Sequence, residues 1–119
     1  MDTINEYKET IYLFGKKREV TITIKVEPDP DAINIIEDCD DSISKKALKD
    51  YENGKLSVDI IFVEVKCDLF NGNCSLGGCM IYLNSTHDHE NEAECYEMID
   101  LAIDDYRENA QKYKDFFEA

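Results

Sequence analysis

The chain has few residues that interrupt regular structure, no tryptophan and no long apolar run. Among its 119 residues are two prolines and five glycines, so little of the sequence has the composition of a linker. No apolar stretch approaches the ~18 residues of a membrane-spanning helix. The first residues are neither basic nor apolar as a group, so no secretion signal is predicted. We expect a single domain spanning residues 1–119 and a cytoplasmic location.

The sequence also lacks the short motifs that identify an enzyme. No serine, cysteine or lysine lies in a nucleophile motif. The pair Gly77-Gly78 precedes a predicted strand instead of joining a strand to a helix, so it indicates a β-bulge and not a phosphate-binding loop. We therefore expect neither catalytic residues nor a cofactor.

Five cysteines and two histidines supply most of the metal-binding chemistry in the chain. The spacing of the cysteines lacks the close pairs of structural zinc sites. Their positions in the predicted strands and helices favour reduced thiols in the core, where free cysteine packs as a small apolar residue. A zinc site is one alternative for the set Cys67, Cys74, Cys79, Cys95, His87 and His89, and disulfide pairing of the cysteines, which requires oxidising conditions, is the other.

The main excess in the sequence is negative charge. There are 27 aspartates and glutamates against 13 lysines and arginines, a formal charge of −14. The acids concentrate between Glu27 and Asp41 and again from Asp88 to the end of the chain. Net charge constrains the choice of partner and not the fold. Such a protein repels bare nucleic acid and anionic membranes, and it attracts basic proteins, many of which bind nucleic acid.

Four β-segments are predicted. Segments 10–14 and 19–27 form a hairpin, and the second alternates apolar and polar residues with the period of a half-buried strand. Segment 56–67 changes its apolar phase between Ile60 and Ile61, which indicates a bulge or a strand buried on both faces. Segment 76–83 is the fourth strand and follows a predicted loop at 70–75.

Two helical regions are predicted. The first begins at Asp29-Pro30 and ends at Asn53-Gly54, and the acidic residues near position 41 are a potential break. The second begins at a capping box formed by Ser85 and Asp88 and continues to the end of the chain. Its apolar stripe comprises Tyr96, Ile99, Ile103, Tyr106, Ala110, Tyr113 and Phe117.

The element order ββαββα predicts the α+β class. We expect a four-stranded antiparallel sheet with two helices packed on one face and a long C-terminal amphipathic helix. Several aromatic or large apolar side chains would then occupy the outer sheet face, either as a dimer or partner surface or as scattered surface residues. These side chains are Tyr12, Phe14, Phe62, Met80 and Tyr82.

The face of the last helix opposite the apolar stripe is acidic and surrounds Leu101. Few of these acids have a base four residues later, so neighbouring carboxylates repel one another. A leucine within a charged rim is typical of a small interface anchor, although a solvated helix face is the alternative. With the acidic run of the first helical region, the predicted partner-binding residues are Glu37, Asp38, Asp40, Asp41, Glu90, Glu94, Glu97, Leu101, Asp104, Asp105 and Glu108.

These features favour a small acidic inhibitor that occludes a basic, nucleic-acid-handling surface of another protein. A phage or mobile-element anti-defence protein, of the anti-CRISPR or anti-restriction kind, would suit this size, charge and composition, and the bias toward isoleucine, asparagine, lysine and acids is common in AT-rich genomes, including those of many phages. Such a protein would act in the host cytoplasm and contact neither nucleic acid nor membrane directly. The alternatives are an immunity protein for a basic nuclease toxin, a homodimeric structural module and a weak metal-binding domain.

Overall fold

The computed structural model describes residues 1–67 and 69–114, and its centre is a four-stranded antiparallel sheet in the order β1-β2-β3-β4. The strands are β1 (Asp2–Leu13), β2 (Lys16–Pro28), β3 (Leu56–Lys66) and β4 (Asn71–Tyr82). Helices α1 (Ala32–Glu37) and α2 (Asp41–Glu52) connect β2 to β3, and α3 (His89–Cys95) and α4 (Met98–Gln111) follow β4. The α+β class, the antiparallel sheet and the break in the first helical region are confirmed.

The first hairpin is longer than its sequence pattern predicts. Phe14 and Gly15 form a two-residue turn with φ of 52° and 76°, which suits the right-handed twist of the flanking strands. β1 extends back to Asp2 because it pairs with the strongly alternating β2 along almost its whole length. β4 likewise begins at Asn71, inside the predicted loop, because β3 pairs with it from that residue onward.

A bulge in β4 confirms the interpretation of the glycine pair. Asp59 pairs with Cys79 and Ile61 pairs with Leu76, so Gly77 and Gly78 together oppose the single residue between them on β3. Gly78 has a φ of 69°, which residues with a side chain rarely adopt. The bulge adds one residue to β4. The odd-even pattern of side chains that holds before the bulge is therefore reversed after it.

The helices pack in two pairs on opposite faces of the sheet, which corrects the expectation that they share one face. Leu56 and Val58 of β3 join a small core with α1 and α2. Ile61, Val63 and Val65 of the same strand join the larger core with α3 and α4. Because successive residues of a strand point to opposite faces, the two cores lie on opposite sides. The phase change at Ile60-Ile61 in the sequence marks the transition between them.

The predicted outer-face residues have different environments as a consequence. Met80 and Tyr82 pack against the small core beneath α1 and α2. Tyr12 lies on the same face beyond those helices and is 60% exposed, whereas Phe62 is half-buried. Phe14 is in the hairpin turn and packs against the larger core instead.

The first helix begins later than Asp29-Pro30 because Asp29 has another role. Its side chain is buried and accepts hydrogen bonds from the backbone N–H of Gly78 (2.8 Å) and of Asp31 (2.9 Å). The carboxylate thus ties the β2–α1 connection to the bulge of β4. Helix α1 starts only at Ala32.

The C-terminal helical region is divided into two helices instead of forming one continuous helix. Glu97 adopts a left-handed conformation (φ 53°, ψ 35°) between α3 and α4. No glycine or proline marks this point in the sequence, so the helical periodicity gave no sign of the break. α3 begins with a capping box in which Asp88 pairs with Asn91, three residues after the predicted cap at Ser85.

The break also changes which residues are buried. Tyr96 is 55% exposed, whereas Tyr106 and Ala110 of the predicted stripe are buried and Ile99 and Ile103 are half-buried. Tyr113 is exposed, and Phe117 lies outside the described residues. The fully buried residues of α4 are Met98, Ala102, Tyr106 and Ala110.

Helix α4 lies unusually close to β4. A Cβ atom on Gly72 would be 2.2 Å from the backbone nitrogen of Tyr106 and 2.4 Å from the carbonyl oxygen of Ala102. Tyr106 is 1% exposed, and its ring centroid lies 5.0 Å from that of Phe70. Only glycine permits this approach, which fixes the rotation of α4 and hence the direction of its outer face.

We predict that Gly72→Ala lowers the free energy of unfolding by roughly 3 kcal/mol, because the new methyl group must displace helix backbone. The matched control is Gly54→Ala, where φ is 74° but nothing lies within 4 Å of the new Cβ. We expect it to cost only about 1 kcal/mol, from backbone conformation alone. Urea denaturation measures both values, and equal losses would contradict the close packing of α4.

Candidate protein-binding surface

One group of predicted acidic residues forms the junction between α1 and α2. Glu37 ends α1, Asp38 follows as its C-cap, and Asp40 and Asp41 begin α2. All four are exposed. Acids at the first turn of a helix are favoured by its dipole, so Asp40 and Asp41 have a structural explanation. We call these four residues the α1–α2 acidic corner.

The second group lies on α3 and α4. We define the α3–α4 acidic surface as the exposed residues Glu94, Glu97, Asp100, Leu101, Asp104 and Glu108. Leu101 is 51% exposed, as its place in the helix projection predicts. Asp100 is an addition that the break at Glu97 brings to this surface, and Glu90 is half-buried at the start of α3.

The two acidic groups do not form one surface. α1 and α2 cover one face of the sheet, and α3 and α4 cover the other. A flat partner can therefore contact one group or the other. The phosphate spacing of a duplex, which requires two parallel rows of charge, is not reproduced by this arrangement.

Asp105 belongs to the interior side of α4 and not to its acidic surface. Its Oδ2 accepts a hydrogen bond from the backbone N–H of Asn73 at 2.8 Å. One turn later, the Nδ2 of Asn109 donates to the carbonyl of Asn71 at 2.7 Å. These side chains cover the outer edge of β4 near its start. Helix projection predicted an exposed Asp105 because β4 was not expected to extend to Asn71.

A groove lies where α3 meets α4. It has a volume of about 230 Å³, and its walls combine the apolar side chains of Ala93 and Ile99 with the acids Glu94, Glu97 and Asp100. Lysine and arginine have an apolar stem and a charged end. The groove therefore combines an apolar wall with a negative rim, which is chemically complementary to such a side chain.

The two histidines attach α3 to its surroundings. His89 Nε2 lies 2.7 Å from Asp59 Oδ2, and the hydroxyl of Ser57 donates to the same oxygen at 2.6 Å. His87 contacts the carboxylate of Glu92. Ser57 bonds to the carboxylate and not to the imidazole, so the serine is not activated as a nucleophile. Asp59 is 9% exposed. Sequence reasoning missed this network, although an acid within the apolar segment 56–65 is a signal that could have indicated it.

The cysteines do not assemble with the histidines. Within residues 1–67 and 69–114, no group of three or more histidine, cysteine or acidic side chains is arranged to hold a metal ion. Burial, and then the carboxylates of Glu92 and Asp59, raise the pKa of the Cys79 thiol to about 11. Cys95 is exposed at the end of α3. The structure thus gives the zinc alternative no support.

We predict that Cys95 reacts first with iodoacetamide at pH 8, because thiolate is the reactive form and Cys95 is the exposed thiol. Cys79 should react only after unfolding, since its thiol is buried and its pKa of about 11 leaves little thiolate at that pH. Peptide mapping by mass spectrometry after timed labelling measures both rates. Equal rates for Cys79 and Cys95 in the folded protein would contradict the described core.

We also predict that Asp105→Ala lowers the free energy of unfolding by about 2 kcal/mol, because it removes a hydrogen bond from a charged acceptor. The neighbouring exposed Asp104 provides the control, since its 3.7 Å contact with Arg107 is a surface ion pair. Asp104→Ala should change the stability by less than about 0.5 kcal/mol. Thermal or urea unfolding of the two variants checks the difference. Equal effects would show that Asp105 does not anchor β4.

Comparisons with known proteins add no relatives. No family model matches the chain, and neither curated proteins nor solved structures give a match. Across the part of the chain that the structure describes, none of the helices has the length and apolar character needed to cross a membrane.

Proposed function

We propose that this protein is a small cytoplasmic inhibitor that binds a basic, nucleic-acid-handling surface of another protein and occludes it. A phage or mobile-element anti-defence protein, of the anti-CRISPR or anti-restriction kind, is the class that we favour. The observation that carries the proposal is the α3–α4 acidic surface, in which exposed carboxylates surround the half-exposed Leu101.

The dimensions of α4 support binding to one row of basic residues. Its 14 residues extend for about 21 Å at ~1.5 Å per residue. Carboxylates at i and i+4 are spaced by ~5–6 Å, so Asp100, Asp104 and Glu108 form one row of negative charge along the helix. The surface can therefore compete for a single basic stripe or groove, and the α1–α2 acidic corner is not needed for this contact.

The short-range part of recognition is assigned to Leu101 and to the groove between α3 and α4. Long-range attraction mainly increases the association rate. A desolvated leucine within a charged rim, together with one basic side chain in the groove lined by Glu94, Glu97 and Asp100, selects the partner more narrowly.

The surface is also held rigidly. Gly72 lets α4 rest directly on β4, and Asp105 and Asn109 bond the helix to the strand edge. A preorganised surface loses little conformational entropy on binding, so more of the interaction energy contributes to affinity.

We predict that the triple variant Glu97→Lys, Asp104→Lys and Glu108→Lys loses roughly hundredfold in affinity for a partner captured from host lysate, because attraction becomes repulsion at the interface. The matched control is Glu37→Lys, Asp38→Lys and Asp40→Lys, which changes the net charge equally on the opposite face of the sheet. The control variant should lose no more than about tenfold in affinity, because it weakens only the long-range attraction to the partner.

Titration calorimetry at low and high salt measures these affinities, and circular dichroism verifies that both variants fold. Binding of the wild-type protein should weaken steeply as salt increases. If the α4 triple variant folds and binds as well as the control variant, the α3–α4 acidic surface only solubilises the protein. The identity of the captured protein distinguishes the two functions. A defence complex supports the anti-defence role, whereas a nuclease toxin would make this chain an immunity protein that uses the same surface.

A further inference from the structure

The two edges of the sheet differ in how their backbone groups are satisfied. At the β4 edge, Asp105 and Asn109 bond to the outward backbone groups of Asn73 and Asn71. At the β1 edge, the hairpin end is covered in the same way, because the Nε of Arg107 donates to the carbonyl of Tyr12 at 3.3 Å. The rest of the β1 edge has no such cover among the described residues.

The open stretch can be located from the hairpin register. In a hairpin with a two-residue turn, the residues that close the turn, here Leu13 and Lys16, form a hydrogen-bonded pair. Hydrogen-bonded and non-hydrogen-bonded pairs then alternate along the two strands. Tyr12 is then in a non-hydrogen-bonded pair, so its backbone N–H and C=O groups face away from β2. The hydrogen bond from Arg107 to its carbonyl agrees with this direction. The next outward positions are Thr10, Lys8 and Glu6, whose backbone N–H and C=O groups face away from β2.

Those three residues are exposed, and no backbone hydrogen bond from their outward groups is found within residues 1–67 and 69–114. They offer three donors and three acceptors along about 14–17 Å of strand, at ~3.4 Å per residue. Unpaired groups in this arrangement are a template for a further strand.

Between Glu6 and Thr10 this edge is more acidic than basic, whereas the bases Lys16, Lys17 and Arg18 of β2 lie toward the hairpin turn. Glu6 and Glu9 lie on β1 itself, against the single base Lys8. Burial raises the pKa of the Tyr7 phenol, and the carboxylates of Glu9, Glu90 and Glu94 raise it further. Tyr7 packs against the core cluster that contains Ala93, so the middle of β1 presents this side chain on the same face of the sheet that α3 occupies.

We propose that an extended lysine- or arginine-rich segment of the partner adds to the sheet as a fifth strand along β1. This inference rests on the proposed function and specifies how the basic partner is held. Backbone bonds to Glu6, Lys8 and Thr10 hold the segment in register, and Glu90 and Glu94 attract its basic side chains. A second copy of this chain is disfavoured as the occupant, because pairing two β1 edges would bring the acids of both α3 helices together.

The experiment uses a nine-residue peptide of alternating lysine and valine, with both ends blocked, as the probe. Amide hydrogen exchange of the wild-type protein is followed by NMR with and without the peptide. The peptide should slow exchange at Glu6, Lys8 and Thr10 at least tenfold. If the peptide fails to bind, or binds without protecting these amides, the proposal is wrong. Protection of the same amides at high protein concentration without peptide would assign the edge to a second copy.

A pair of variants tests the backbone contact separately from charge. Lys8→Pro removes the outward backbone N–H, whereas Lys8→Ala keeps it. Both variants lose the same positive charge and the 3.5 Å ion pair with Glu19. Proline is tolerated on an edge strand where its N–H is not part of the ladder, and circular dichroism verifies that the hairpin persists. Lys8→Pro should bind the peptide at least tenfold more weakly than Lys8→Ala. Equal affinities would overturn strand addition.

The captured partner separates this proposal from the proposed function. If reversal of Glu97, Asp104 and Glu108 weakens partner binding while Lys8→Pro does not, acidic occlusion stands and strand addition fails. If Lys8→Pro weakens binding while the reversal and salt have no effect, strand addition stands and electrostatic occlusion fails.

Discussion

The backbone contact between α4 and β4 at Gly72 determines the geometry on which the other surfaces depend. Because the helix rests directly on the strand, Tyr106 fills the core beside Phe70, and the opposite side of α4 is directed outward with Leu101 and its carboxylates. The same contact brings Asp105 to the edge of β4. The acidic surface is thus the outer side of α4, and the packing of the inner side on β4 prevents the helix from rotating about its axis.

The glycine bulge in β4 has a comparable effect on the sheet. One residue is added at Gly77-Gly78, and the strand beyond it presents Met80 and Tyr82 to α1 and α2 while Cys79 continues the larger core. A sheet of four strands can therefore bury residues on both faces over different parts of its length. The buried Asp29 joins the two regions by bonding to the backbone of Gly78.

Residues with strong local signals allowed much of the fold to be predicted. The alternation of Val20, Ile22 and Ile24 and the stop at Asn53-Gly54 were local signals with one interpretation. The phase change at Ile60-Ile61 allowed two, and the structure shows that β3 is buried on both faces and that the extra residue lies in β4. The starts of β1 and β4 were not predicted because their sequences are polar, and only pairing with β2 and β3 makes them strands. The left-handed Glu97 and the role of Asp105 were missed because each depends on tertiary contacts. The carboxylates of the α3–α4 acidic surface other than Asp100 were located by helix projection, but their function stays a prediction.

The placement of α1 and α2 on their own face has a consequence for how the chain can change. Their small core contains only Ala32, Ile36, Ala47, Leu56 and Val58 as fully buried residues, and it shares none of these with the larger core. A segment with few buried contacts opens at a lower free energy than the rest of a protein. The α1–α2 connection can therefore unfold, lengthen or be replaced while α3 and α4 keep their positions. A change of sequence or length in this connection is therefore expected to leave the outer side of α4 unaltered.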